Sequence, residues 1–323
     1  MSDRTPAAAS DDLRDCLPVA FQSPATLITR IAAGMSGAGV YRVDAGDEHF
    51  VLKITASDEP LAAWQRSLEV QHSAAAVGIA PQILHVDASR RAVVSAMIAD
   101  RNFAAEFGSP VTRAAAVEAL GQMLARLHAL PIPQNAVTAE PRPALGVAWG
   151  AVPQDFVVPA FVRQAVAELL AEVTPACPEA PVMSHNDVNP SNIVFDGDRV
   201  MLLDWQAAAP NHAHYDLATI AMFYRFDDDT CRQMIAAHNH APVDVIPATF
   251  RYFRRVAATL SGAFALNAAR MRGHAGSAVA IELTPSLNDL YAQLRGGTFN
   301  LGSANGQWVF GLALVKEGVT LGS

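Results

Sequence analysis

In the first part of the chain, apolar and polar residues alternate in the way that is typical of antiparallel strands. Segment 25–55 shows this alternation on both sides of a Gly-Asp turn, and short apolar runs follow at 82–86 and 92–98. Between them, residues 59–77 place apolar side chains three or four positions apart, which predicts a helix. The pattern therefore predicts a β-rich first part that contains one helix.

The second part of the chain has mostly helical spacing. A long periodic segment at 111–130 predicts a helix, whereas 131–154 holds several prolines and little periodicity and is expected to be a loop or an insertion. Further helices are predicted at 159–173, 216–224, 228–240 and 248–272, and short strands at 193–196 and 200–204. The expected architecture is α+β, with a small β-rich N-terminal lobe at 1–98 and a larger helical lobe at 99–323.

Composition narrows the class of protein. The 323 residues are 51% hydrophobic and 17% charged, which is enough to bury a large core and argues against disorder. A formal net charge of −8 disfavours nucleic acid as a partner and is compatible with a cationic small molecule. The chain has no apolar run of membrane-spanning length, and its first residues lack the apolar core of a signal peptide. A cytoplasmic location with no membrane partner is therefore expected, and three scattered cysteines fit a reducing compartment.

The choice of basic residues singles out one lysine. Of the 23 Lys and Arg residues, only Lys53 and Lys316 are lysines. Lys53 lies inside an apolar strand, where an ammonium group needs a partner unless it snorkels to water from an edge strand. Glu69, on the predicted helix, is the expected partner, although Arg66 could compete for it. Glu59 is an alternative partner, although an acid at the start of a helix is also explained by the helix dipole.

The most specific segment is a run of hydrogen-bonding side chains followed by a second carboxylate. Ser-His-Asn-Asp-Val-Asn-Pro-Ser-Asn occupies 184–192, and Asp204 follows twelve residues later at the end of a predicted strand. Carboxylate and amide oxygens suit Mg²⁺, and phosphoryl transfer needs a metal, neutralised phosphates and an oriented hydroxyl. Asp187 is therefore the candidate base, and Asn192 and Asp204 are the candidate metal ligands. The alternative is an Asx-rich turn capped by its own side chains.

These residues resemble the aminoglycoside phosphotransferase and choline kinase family, whose fold is similar to that of protein kinases. The resemblance is strongest over 184–218 and extends over most of the chain, from about residue 25 to 270. It implies a bilobal protein-kinase-like fold. It also implies that Asp187 is the catalytic residue, that the two candidate ligands bind magnesium, and that His185 and Asp216 support the catalytic loop.

The same resemblance implies an ATP-binding part upstream. The segment GMSGAGVYRV resembles a phosphate-binding loop, in which glycines let backbone amides approach phosphates. A strand lysine paired with a helix glutamate then positions the phosphates, and the strand at 92–98, which would connect the two lobes, offers its backbone to adenine. The residues implied to bind ATP are Ser36, Gly37, Gly39, Lys53, Glu69, Ala96 and Ile98.

The expected function is that of an ATP- and Mg²⁺-dependent kinase that transfers the γ-phosphoryl group to the hydroxyl of a small molecule. Only twelve residues separate Asp204 from Asp216, which is too short for the activation segment of a protein kinase. The DWQ segment resembles choline or thiamine kinases, with Gln206 in place of their usual Glu, whereas the glycine segment resembles aminoglycoside kinases. The expected acceptor is an amino alcohol such as choline or a thiamine-like compound. The alternatives are an aminoglycoside or sugar acceptor, or a non-catalytic nucleotide-binding protein.

Three further groups are expected to be structural. His212 and His214 have no third zinc ligand at a suitable spacing and are predicted to lie in a solvated loop. The acidic run 227–229 fits the start of a helix better than a binding site for an amine. The aromatic residues between 250 and 264 have helical spacing, which fits a core better than a cage around a cation.

Overall fold

The computed structural model describes residues 11–31, 39–55, 59–101, 103–176 and 179–322, over which the chain mixes strands and helices. The strands are β1 (Leu27–Arg30), β2 (Gly39–Ala45), β3 (Glu48–Ile54), β4 (Ile83–Asp87), β5 (Ala92–Ala96), β6 (Val182–Ser184), β7 (Ile193–Phe195), β8 (Val200–Leu202) and β9 (Ala209–Asn211). The helices are α1 (Asp11–Arg14), α2 (Leu61–Ala76), α3 (Phe103–Gly108), α4 (Arg113–His128), α5 (Pro141–Gly150), α6 (Ala160–Ala171), α7 (Ala213–Phe223), α8 (Asp228–Asn239), α9 (Ala248–Met271), α10 (Leu287–Arg295) and α11 (Ala304–Thr320). The predicted α+β class is confirmed.

A five-stranded antiparallel sheet contains the first strands of the chain, in the order β1-β2-β3-β5-β4. Lys53 on β3 is in register with Val40 on β2 and with Val93 on β5. The neighbouring side chain Leu52 points to the opposite face, where it is buried with residues of the N-terminal segment such as Leu17. Because β3 is a central strand, Lys53 is not an edge-strand lysine.

The chain divides into two compact units, each made of two separate stretches. The first unit comprises Met1–Ala136 and Ser191–Ala208, and the second comprises Val137–Pro190 and Ala209–Ser323. The predicted lobe boundary at residue 98 lies inside the first unit. That unit also takes in α3 and α4, together with the hairpin β7–β8, which packs against both of these helices.

Helices form most of the second unit, and its longest helix, α9, packs against α5, α7 and α11. The apolar core includes side chains from the segment before α6, from α6 itself, from α9 and from α11. Two glycines let α9 and α11 approach closely, since a Cβ atom on Gly311 would lie 3.0 Å from the backbone oxygen of Gly262. The short strands β6 and β9 pair antiparallel in this unit.

The expected loop at 131–154 is partly wrong, because α5 lies within it. Prolines at 141 and 143 obscure the helical pattern, but both stand in the first turn, where a missing N–H breaks no helical hydrogen bond. Leu145 and Ala148 form the buried face of α5. Helices α10 and α11 lie in a region to which the sequence analysis assigned no element. None of the helices in the described ranges has both the length and the hydropathy needed to cross a bilayer.

Candidate active site

The loop around Asp187 belongs to the second unit, and a buried carboxylate fixes its backbone. Asp216, on α7, is fully buried and accepts hydrogen bonds from the backbone N–H groups of His185 (2.8 Å) and Asn186 (2.9 Å). His185 is also fully buried. Carboxylates that accept backbone N–H groups make some of the stronger hydrogen bonds in proteins. This is the geometry that the predicted supporting role of Asp216 requires.

Asn186 gives the loop its sharp turn. Its φ of +65° lies in the left-handed region, which asparagine tolerates better than most residues do. The side-chain amide donates to the carbonyl of Ala209 (3.1 Å) and accepts from the side chain of Asn211 (2.7 Å). Sequence analysis missed both asparagines as positioning residues, although an asparagine inside the motif is a recognisable signal for a left-handed turn.

Asp187 follows this turn and is half-buried. Its backbone N–H donates to Nδ1 of His185 (3.3 Å), and its carboxylate accepts from the side chain of Asn189 (2.9 Å). Burial raises the pKa of the neighbouring Tyr215 well above its usual value, and the charges of Asp216 and Asp187 add to that effect. Asp187 therefore presents a partly exposed carboxylate, oriented by a neighbouring amide, which is suited to accept a proton.

The cluster around Lys53 belongs to the first unit. The ammonium Nζ lies 2.7 Å from Oδ1 of Asp204 and 3.2 Å from Oε1 of Gln206. About a quarter to a third of each charged side chain is exposed, at 25% for Lys53 and 31% for Asp204. The structure thus joins two of the predicted site residues, Lys53 and Asp204, by a direct ion pair.

The expected pairing of Lys53 with Glu69 is wrong. Glu69 is exposed on α2, away from the buried face formed by Trp64, Ser67, Val70 and Ala74. It borders instead a small cavity of about 200 Å³ beside residues 130–133. Glu59, the alternative partner, is linked to Lys53 indirectly. Its carboxylate accepts a hydrogen bond from Nε2 of Gln206 (2.8 Å), and Gln206 also contacts Lys53.

Asp204 and Asn192, the predicted metal ligands, are linked through the backbone. Asp204 has a left-handed φ of +61°, and the N–H of the preceding Leu203 donates to the carbonyl of Asn192 (2.8 Å). The next side chain, Trp205, is buried and donates to the carbonyl of Leu202 (3.1 Å), which anchors the turn.

These donors fit magnesium. Within the described ranges, no three His, Cys, Asp or Glu side chains form a cluster that could hold a metal ion. One carboxylate and one amide are nevertheless the hard oxygen donors that Mg²⁺ accepts when phosphates and water complete its coordination.

Most of the predicted phosphate loop, including Ser36 and Gly37, lies outside the described residues. Gly39 begins β2 and is in register with Ile54. The N–H of Ala96 donates to the carbonyl of Gln82 (2.9 Å), the residue before β4, so the predicted backbone contact of Ala96 with adenine stays a prediction for its carbonyl. Ala96 and Ile98 both line a cavity of about 480 Å³ beside the end of α2.

The groups predicted to be structural are largely so. Asp227 caps α8 with its side chain, and the aromatic side chains of Phe250, Tyr252 and Phe253 are buried. The expectation of a core position is wrong for Phe264, whose side chain on α9 is exposed. His214 is buried as well and bonds to the hydroxyl of Thr249 (2.7 Å), because α7 begins earlier than the pattern predicts. The expectation of a solvated loop is therefore wrong for His214. Burial raises the pKa of the Cys231 thiol to about 11, which leaves it unreactive.

Comparison with known proteins relates this chain to one enzyme family and to several solved structures. Residues 27–253 match the model of the phosphotransferase enzyme family. The fold is similar to that of a choline/ethanolamine kinase family protein from Mesorhizobium loti, with 17% identity over 91% of this chain and 92% of that chain and a TM-score of 0.59. It is also similar to the choline kinase LicA from Streptococcus pneumoniae, with 14% identity, 77% and 86% coverage and a TM-score of 0.60.

An aminoglycoside-3'-phosphotransferase of type VIII is similar too, with 20% identity, 74% and 95% coverage and a TM-score of 0.55. No curated protein sequence matches the chain. Identities this low show a shared fold, and they confirm the expected likeness to both choline kinases and aminoglycoside phosphotransferases. The family match covers more than half of the sequence and includes Lys53, Asp187 and Asp204, so the chain belongs to the phosphotransferase enzyme family.

Proposed function

We propose that this protein is an ATP-dependent small-molecule kinase that transfers the γ-phosphoryl group to a substrate hydroxyl. The observation that carries the proposal is the loop around Asp187, whose backbone is fixed by the buried carboxylate of Asp216. A loop built this way holds one partly exposed carboxylate in a constant position. Positioning of that kind is most of what phosphoryl transfer asks of a protein.

In the proposed reaction, Asp187 accepts the proton of the acceptor hydroxyl. The hydroxyl oxygen bonds to the γ-phosphorus while the bond from that phosphorus to the β-phosphate oxygen breaks, which releases ADP. Asn192 and Asp204 would hold Mg²⁺, which neutralises phosphate charge when it is bound. Lys53 would contact the phosphates, and Gly39 would lie beside them.

ATP as the phosphoryl donor is supported by a structural neighbour. LicA, which shares this fold, has been solved in complex with AMP. Adenine would then meet the backbone at Ile98 and the carbonyl side of Ala96, since the N–H of Ala96 is already bonded. Two buried free thiols, Cys16 and Cys231, are compatible with the cytoplasmic location that an ATP-dependent enzyme would have.

The acceptor we propose is a hydroxylated small molecule, with an amino alcohol as the first class to test. Solved neighbours include choline kinases as well as phosphotransferases for aminoglycosides and spectinomycin. The net charge of −8 favours a cationic acceptor, a property that choline and the aminoglycosides share. Aminoglycosides and sugars are therefore the second class.

The test is Mg²⁺-dependent ADP release with a panel of choline, ethanolamine, thiamine, sugars and aminoglycosides. One class should stimulate release well above the rate with ATP alone. Asp187→Asn is the matched control, because it preserves size and should lower stimulated turnover by about 10² or more while ATP still binds. Tight Mg²⁺-dependent ATP binding without turnover on any acceptor would instead indicate a non-catalytic nucleotide-binding protein. Near-normal turnover by Asp187→Asn would remove Asp187 from the mechanism.

A further inference from the structure

Gln206 links Lys53 to an acid that lies on neither of the strands beside it. The carbonyl oxygen of the Gln206 side chain accepts from the ammonium of Lys53 (3.2 Å), and its amide nitrogen donates to Oε2 of Glu59 (2.8 Å). The oxygen of the carboxamide thus accepts from a positively charged donor, and its nitrogen donates to a negatively charged acceptor. This double use fixes which way the amide faces, because the reversed orientation would set two donors together and two acceptors together.

Glu59 is itself held in place by the turn before β5. The guanidinium of Arg91 donates to the backbone carbonyl of Glu59, and the carbonyl of Arg91 accepts from the N–H of Thr55 (3.1 Å). Arg91 has a left-handed φ of +51°. One residue therefore anchors the chain both after β3 and before α2, so that Glu59 is a fixed end for the bridge through Gln206.

We propose that Glu59, acting through the Gln206 carboxamide, is the positioning residue for Lys53, in the role that the sequence assigned to Glu69. The catalytic consequence rests on the proposed function, whereas the side-chain network does not. An ammonium has three N–H donors, and among the described residues two of them face Asp204 and Gln206. The third is left for a phosphate oxygen, without either existing bond being broken.

The charge count explains why a glutamine suits position 206. With Gln206, the cluster holds one ammonium and two carboxylates, those of Glu59 and Asp204. A glutamate at 206 would meet the Glu59 carboxylate with no proton between them, and it would add a negative charge where phosphates are to bind. The neutral bridge carries the orienting effect of Glu59 to Lys53 without that repulsion.

The scarcity of lysine makes the network directly observable. Labelling the protein with ¹³C/¹⁵N-lysine gives side-chain signals from only Lys53 and Lys316, and Lys316→Arg assigns them. Glu59→Gln should shift the Lys53 side-chain signal and leave that of Lys316 in place. Glu69→Gln is the matched control on the other candidate acid, and it should move neither signal. An equal shift from Glu69→Gln, or none from Glu59→Gln, would overturn the proposal.

An exchange of the two side chains tests position separately from charge. Gln206→Glu alone should weaken ATP binding by about tenfold or more, since loss of bonds to charged groups costs that much. The double variant Glu59→Gln/Gln206→Glu restores one acid and one amide, and should recover affinity to within about threefold of the parent protein. The effect should fall on KM for ATP more than on kcat.

No recovery in the folded double variant, as judged by its thermal unfolding, would contradict a bridging role for Gln206. A separate outcome would contradict the proposed function. If the parent protein neither binds ATP nor turns it over, the kinase proposal is wrong, while the lysine spectra still decide whether Glu59 reaches Lys53 through Gln206.

Discussion

Backbone hydrogen bonds hold the loop around Asp187, whereas side-chain tips hold the cluster around Lys53. In the loop, a fully buried carboxylate accepts two backbone N–H groups from residues next to the candidate base. In the cluster, an ammonium, a carboxylate and a carboxamide meet at partly exposed ends of long side chains. Asp216 lies 30 residues along the chain from Asn186, while Lys53 and Asp204 are 151 residues apart.

The two constructions suit different demands. A base must keep one position through the reaction, and backbone hydrogen bonds to a buried acceptor provide that. A group that binds phosphate must admit nucleotide and metal beside the partners it already has, and partly exposed side chains can adjust at low cost. We therefore expect substitutions in the loop support to affect folding, and substitutions in the cluster to affect ligand binding.

The largest effect is expected for Asp216→Asn. The amide cannot accept both backbone N–H groups, which leaves a buried donor without a partner and costs about 2–4 kcal/mol of unfolding free energy. Urea unfolding followed by tryptophan fluorescence measures the loss. Asp187→Asn is the control and should unfold within about 1 kcal/mol of the parent protein, because its side chain is half-buried. Equal losses of unfolding free energy for the two variants would contradict the distinct roles of Asp216 as support of the loop and Asp187 as base.

Next in size is the effect of the metal ligands. Asp204→Ala should raise the Mg²⁺ concentration needed for half-maximal turnover by about tenfold or more, since even indirect partners of a metal are worth that much. Asn192→Ala should raise it less, because an amide does not neutralise charge. Metal titrations of both folded variants provide the measurement. Curves that overlay the curve of the parent protein would place the metal elsewhere.

Lys53→Arg should be a smaller but clear defect despite the conserved charge. A guanidinium is larger, planar and forked, and cannot occupy the place between Asp204 and Gln206 that the compact ammonium fills. We expect about a tenfold loss in kcat/KM for ATP, the scale of one hydrogen bond to a charged group. Steady-state kinetics at varied ATP would show it, and parent-like values would reduce Lys53 to an ordinary surface charge.

The smallest effect is expected for Glu69→Gln. Because Glu69 is exposed and does not contact Lys53, its effect should add to that of Lys53→Ala within about 0.5 kcal/mol. Glu59→Gln in the same background should instead be non-additive with Lys53→Ala. ATP affinities of the single and double variants complete both cycles, and coupling between Lys53 and Glu69 would restore the pairing first expected from the sequence.

Local sequence signals predicted the fold class and drew attention to the loop around Asp187. The alternation around Lys53 and the helical spacing of α2 and α4 were sufficient to place the sheet and its helices. The 184–192 motif singled out Asp187 and Asn192 because phosphoryl transfer requires those residue types at close spacing. Helix α5 was not predicted because prolines are typical of loops. Those of α5 stand in its first turn, where they break no helical hydrogen bond.

The partner of Lys53 could not be predicted in the same way. Which helical side chain reaches a strand depends on the rotation of the helix, and an error of one residue turns a side chain by about 100°. The sequence singled out Gln206 only as a replacement for a usual Glu, and its bridging role was not predictable because that role depends on two charges contributed by distant parts of the chain. Residue spacing identifies a helix or a motif, but tertiary packing decides which side-chain ends contact each other.

The chain leaves the first unit after residue 136 and returns to it for residues 191–208. During synthesis, the first 136 residues therefore emerge without the β7–β8 hairpin that packs against α4. Lys53 remains without Asp204 until the 151st residue after it has been made. A fragment that stops at residue 136 would expose the surface of α4 that the hairpin covers. Adding residues 191–208 to that fragment as a separate peptide offers a direct assay of how the first unit assembles.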